Sequence, residues 1–85
     1  MISRYAARGI ENMKVALGEA GATLEDVIAT RVLVASSEQA DLVTAWEVVH
    51  DAFGDHDVPN TLIGVAALGY DHQLVEVEAS AAVID

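Results

Sequence analysis

Pro59-Asn60-Thr61-Leu62-Ile63-Gly64-Val65-Ala66-Ala67-Leu68, followed after a short break by Leu74-Val75-Glu76-Val77-Glu78-Ala79, is the stretch from which the fold is read. Its first half is rich in branched aliphatics and its second alternates valine with glutamate, so two strands are expected, at residues 60–67 and 73–84. In the second of them Val75, Val77, Ala79 and Ala81 share one face, and Glu76, Glu78, Ser80 and Ala82 the other. Such a strand offers one side to a core and one to water. The polar run Asp55-His56-Asp57-Val58-Pro59 precedes them as a linker, because Pro59 disfavours further helix.

Working outward, residues 27–35 are nearly continuous in apolar character with Arg31 the only charge, which reads as a strand covered on both faces. Between this strand and the linker, Leu42, Trp46, Val49 and Phe53 make the stripe of a helix, with Ser36 or Ser37 as its cap and Gly54 as its end. The same spacing assigns Trp46 and Phe53 to the core. At the other end of the chain Ile2, Ala6, Ile10, Met13, Leu17 and Ala20 step by three or four, the stripe of an opening helix that stops at Gly21. Gly9 and Gly18 weaken that helix by roughly 1 kcal/mol each relative to alanine. Thr23-Leu24-Glu25-Asp26 resembles a capping box around a single turn. The order is helix, strand, helix, strand, strand. A parallel, right-handed crossover in the middle, an antiparallel pair at the end and both helices on one face of a mixed β-sheet give an α+β fold.

Eighty-five residues make one small domain. A domain of this size buries only about 60–65% of its unfolded surface, and with 53% hydrophobic residues the chain is expected to self-associate. Fourteen acidic residues against four basic ones leave a net charge of −10, and no lysine or arginine follows Arg31. That field repels phosphate backbones, so no nucleic-acid partner is expected. The absence of cysteine removes disulfides, thiolate metal sites and a cysteine nucleophile. No apolar run approaches the roughly 18 residues of a membrane span, and no leader pattern opens the chain; no membrane partner and a cytosolic location are expected.

Several runs together resemble the RidA (YjgF) family of enamine/imine deaminases. They are Ala7-Arg8-Gly9-Ile10-Glu11-Asn12-Met13-Lys14, Glu19-Ala20-Gly21-Ala22, Leu24-Glu25-Asp26-Val27-Ile28, Thr30-Arg31-Val32-Leu33-Val34, Ala52-Phe53-Gly54 before a proline, Gly64-Val65-Ala66-Ala67-Leu68 and Val75-Glu76-Val77-Glu78-Ala79. The resemblance spans essentially the whole chain and implies the chorismate mutase-like fold, a homotrimer with ligand clefts between subunits, a small-molecule ligand and no cofactor. It begins at the family's first helix, so residues 1–85 are expected to form a single domain lacking the family's N-terminal strands. A fragment of a longer chain is a further reading.

The resemblance also implies a site. Family members hydrolyse 2-aminoacrylate-like enamines and their imines, with an arginine holding the substrate carboxylate. Asn60 stands where that arginine is expected. Asn60 and Thr61 are the substrate-binding candidates, and Glu76 is the candidate for placing water. Loss of the charged clamp costs about 2–5 kcal/mol of binding, so activity on 2-imino acids is expected to be weak or absent. Each residue also has a plainer reading: Glu76 as part of a solvated sheet face, Asn60 as a residue that opens a strand after Pro59 and binds its own backbone. Arg31 is the one cation that could replace the clamp, although a salt bridge on the sheet is its ordinary role. His50, Asp51, Asp55, His56 and Asp57 crowd the end of the second helix, yet their spacing matches no zinc or calcium pattern and no metal is expected. An imine hydrolase and a non-catalytic binding or structural member of the family both remain open.

Overall fold

The computed structural model describes residues 1–70 and 72–83. Two helices, α1 (Ile2–Glu19) and α2 (Gln39–Phe53), lie on one face of a three-stranded sheet formed by β1 (Val27–Val34), β2 (Asn60–Gly64) and β3 (Val75–Ala81). A 3₁₀ turn at Leu24–Asp26 leads into β1, and the Asp26 carboxylate accepts the Thr23 N–H at 2.9 Å in the expected capping box.

The sheet order is β2-β1-β3, which corrects the expected pairing of the last two strands. β1 and β2 run parallel, with Thr30 opposite Asn60 and Val34 opposite Gly64. β3 instead pairs antiparallel with β1, with Val34 opposite Val75 and Arg31 opposite Glu78. The two strands therefore form no hairpin; they flank β1. The end of β1 holds this arrangement, since Val65 N–H donates to the Val34 carbonyl at 2.8 Å and Ala35 N–H donates to the Leu74 carbonyl at 2.9 Å. The physical reason lies in β1, whose apolar run suits a central strand with a neighbour at each edge. Both later strands are shorter than expected; of the tail, Ile84 lies outside the described residues.

β1 is covered on one face only, a second correction. Val27, Thr30, Val32 and Val34 are buried under the helices, whereas Ile28 and Arg31 are exposed on the other side. The core is aliphatic apart from Phe53: Ala6, Ile10, Met13 and Leu17 from α1, Ala45 and Val49 with Phe53 from α2, and the inner positions of β1 and β3. Trp46 is not among them. It is 38% exposed and stacks on His50 with ring centroids 4.8 Å apart, because Ala45 rather than Trp46 points at the sheet. The α2 start is also shifted: Ser36 Oγ accepts the Glu38 N–H at 3.0 Å and donates to the Asp41 carboxylate at 2.7 Å, so Ser36 supports the first turn from outside it.

Two glycines have packing reasons. A methyl on Gly9 would meet Val77 Cγ2 at 3.0 Å, so its cost in helix propensity accompanies a close approach of α1 to β3. A methyl on Gly64 would meet the Ser36 carbonyl oxygen at 2.8 Å, a backbone atom with little room to move. Gly64→Ala is therefore expected to destabilise by about 1–3 kcal/mol, read from the midpoint of chemical denaturation. An unchanged midpoint would mean that β2 and the loop before α2 sit further apart.

Candidate functional site

The candidates occupy three different places on the sheet. Asn60 opens β2 on the helix-facing side, in register with buried Thr30, whose hydroxyl donates to Asn60 Oδ1 at 2.9 Å. The expected bond of Asn60 to its own backbone is thus replaced by a side-chain pair across the strands. Thr30 Oγ1 also lies 3.4 Å from the Pro59 carbonyl. Thr61, the next residue, turns to the open face and lies beside Arg31.

Glu76 is on the open face too, but on β3, opposite Leu33. Strand alternation explains this: Val75 is buried and Val77 packs on the core, so the glutamates between and after them face away. Because β1 separates β2 from β3, Thr61 and Glu76 stand roughly 10 Å apart across the sheet before their offset along the strands is added. One chain does not bring Asn60, Thr61 and Glu76 together.

Arg31 is engaged. Its Nη2 and Nε lie 2.6 and 2.7 Å from Glu78 Oε1, directly across the β1–β3 ladder. With Thr61 on its other side, Arg31 forms the middle of a row Thr61–Arg31–Glu78 on the open face. Two residues of this environment were not singled out as site members from the sequence: Glu78, the partner of Arg31, and Thr30, the partner of Asn60. The one hydroxyl in a strand that is aliphatic apart from Arg31 was the signal for Thr30, since a buried hydroxyl needs a partner.

The histidines do not converge on a metal. His56 Nε2 sits 2.8 Å from the Val27 carbonyl, while His50 lies between Trp46 and Asp51, 3.7 Å from the latter. Among the described residues no three His, Asp or Glu side chains are grouped to hold an ion. No helix of the described residues is long and apolar enough to cross a membrane. Asp71, in the short break before Leu74, lies outside the described residues.

Residues 2–83 match the family described as endoribonuclease L-PSP. The chain belongs to this family. A member of the YjgF/YER057c/UK114 family from Mycobacterium tuberculosis is 36% identical, with a TM-score of 0.82 over 92% of this chain and 64% of that one. A Thermotoga maritima protein carrying an endoribonuclease name is 29% identical, with a TM-score of 0.84 over 100% of this chain and 65% of the other. A Yersinia pestis protein of the conserved Rid family, its function unknown, is 34% identical, with a TM-score of 0.73 over 86% and 56%. The chain thus spans less than two thirds of the length of these L-PSP/Rid structures. No match was found among curated proteins. Family and α+β fold agree with the reading of the sequence, the family through the runs that resemble it and the fold through the order of helices and strands.

Proposed function

We propose that this L-PSP/Rid domain is a slow hydrolase of small, uncharged imines and enamines, working at a site shared between subunits of a homotrimer. The disposition of polar groups on the sheet carries the reading. Arg31 is held by Glu78, and the Asn60 amide oxygen is taken by the Thr30 hydroxyl. A substrate carboxylate then finds no free cation on the sheet among the described residues, whereas a neutral imine needs none.

The chemistry asked of the site is modest. Glu76 accepts a proton from a water molecule as the water oxygen bonds to the imine carbon, and the C=N π electrons move to nitrogen. Nitrogen takes that proton back from Glu76 to give the carbinolamine, whose hydroxyl then passes its proton through Glu76 to the nitrogen as the C–N bond breaks, releasing ammonia and leaving the carbonyl product. Asn60 and Thr61 supply neutral hydrogen-bonding groups for orientation. Since Asn60 and Thr61 lie on one edge strand and Glu76 on the other, a single ligand meets all three only if a neighbouring subunit brings its own edge alongside. The open face, with Ile28 59% exposed near the start of β1 and the half-buried Leu33 and Ile63 paired near its end, is the surface such neighbours would cover. Native mass spectrometry is expected to give a trimer; a stable monomer would leave the shared site unbuilt.

The experiment is ammonia release from a freshly generated neutral imine, with Glu76→Gln as the control. Turnover is expected to fall about a hundredfold, the low end for a general base because no described residue holds the Glu76 carboxylate in place. Equal rates for both proteins would remove Glu76 from the reaction.

That same unheld carboxylate favours a second reading, a member that binds small ligands without turning them over. It predicts no release above buffer from any imine. RNA cleavage, which the family's description names, is disfavoured on charge: at −10 the chain repels a polyphosphate, and Arg31 is already paired.

A further inference from the structure

Thr30 is the one buried polar residue among the described residues, and both its N–H and its hydroxyl reach the entry of β2. The N–H donates to the Pro59 carbonyl at 2.9 Å, and the hydroxyl donates to Asn60 Oδ1 at 2.9 Å. The hydroxyl also lies 3.4 Å from the Pro59 carbonyl, but it has a single proton and the shorter contact takes it. Upstream, His56 Nε2 sits 2.8 Å from the Val27 carbonyl and ties the same linker to the start of β1. Asn60 is therefore held through its backbone neighbours and through its side chain.

The other end of the amide is differently placed. Asn60 Nδ2 makes no hydrogen bond among the described residues, and among them no buried side-chain nitrogen or oxygen lacks a partner. Asn60 is half-buried, so its Nδ2 is the part that reaches the surface. We propose that Thr30 is a positioning residue, whose hydroxyl locks the Asn60 amide with its oxygen inward and its NH2 outward. Asn60 then meets a ligand only as a hydrogen-bond donor.

The ligand group at this point must be an acceptor, such as a neutral imine nitrogen or a carbonyl oxygen, and not an ammonium or another N–H donor. For the reaction, this inference rests on the imine reading above and deepens it. As the C=N π electrons move to nitrogen, an N–H already held toward that atom meets the charge as it develops. An amide free to turn would present its oxygen for part of the time and oppose the same charge. The orientation itself belongs to the unliganded chain and is read without a substrate.

The experiment has two arms. In the first, NMR of the full, unaltered chain is expected to show a rigid Asn60 side-chain amide by nitrogen relaxation, with no strong NOE from its NH2 protons to the Thr30 side chain. Thr30→Val, which trades the hydroxyl for a methyl, should loosen that amide, and Thr30→Ser should restore it. Strong NOEs from the NH2 protons to Thr30, the mark of a reversed amide, would overturn the proposal even if no variant folds. So would an amide as rigid in Thr30→Val as in the unaltered chain. In the second arm, kcat for a neutral imine is expected to fall about two- to tenfold in Thr30→Val, the worth of one hydrogen bond, with KM nearly unchanged and recovery in Thr30→Ser. Asn60→Asp keeps an acceptor for Thr30 but removes the donor, and its kcat should fall further. Undiminished kcat in Asn60→Asp, or in Thr30→Val with a loosened amide, would overturn the role in the reaction. No turnover by the unaltered chain would remove the imine reading, and the first arm would still decide how Asn60 is held.

Discussion

Phe53→Ala is expected to remove about 3–5 kcal/mol of stability, the usual range for emptying a buried aromatic site. Phe53 closes the core at the last residue of α2, 8% exposed, and the His56 ring lies against it at a centroid distance of 6.2 Å. The rest of the buried core is valine, alanine, isoleucine, leucine and methionine, so Phe53 is its one buried aromatic ring among the described residues. A domain of this length has a total stability of about 4–13 kcal/mol, which makes the loss a large share of the whole. With a urea dependence near the low end for small proteins, the midpoint should drop by about 2–4 M at fixed protein concentration. A loss under about 1 kcal/mol would mean that Phe53 packs far less closely than its burial implies.

Asn60→Arg is expected to raise kcat/KM for 2-imino acids by about thirtyfold to a few thousandfold, the rate equivalent of a charged clamp worth about 2–5 kcal/mol. The change removes the acceptor of the Thr30 hydroxyl, which keeps only the Pro59 carbonyl at 3.4 Å. That loss should cost about 0.5–1.5 kcal/mol of stability, small enough for the variant to fold. Specificity gives the sharper readout. A guanidinium should aid carboxylate-bearing substrates and leave neutral imines unchanged. An equal rise for both classes would point to a change in packing or dynamics instead of a clamp.

The two helices were legible because their apolar spacing is itself a statement about burial: Ala6, Ile10, Met13 and Leu17 repeat with the helix and all lie in the core. Trp46 shows the weakness of the same rule. Its neighbour Ala45 takes the inward position, and a single residue's rotation, about 100°, separates a core tryptophan from a surface one. The strands were legible one by one, but their order was not. Adjacency in sequence suggested a hairpin, whereas the long apolar run of β1 made it the strand that both later ones join. The missed order also hid the site's geometry. Asn60, Thr61 and Glu76 were each visible from type and position, yet their separation by β1, and the capture of Arg31 by Glu78 across the ladder, arise only from register.

The central claim is that this Rid-type site works without a cation for the substrate carboxylate. Its most direct test is ammonia release from a neutral imine and from its 2-imino-acid counterpart, both generated in situ and assayed side by side on the unaltered chain. The account predicts measurable, Glu76-dependent release from the neutral imine and little above buffer from the 2-imino acid. Faster turnover of the 2-imino acid would contradict it, because a carboxylate clamp would then have to exist.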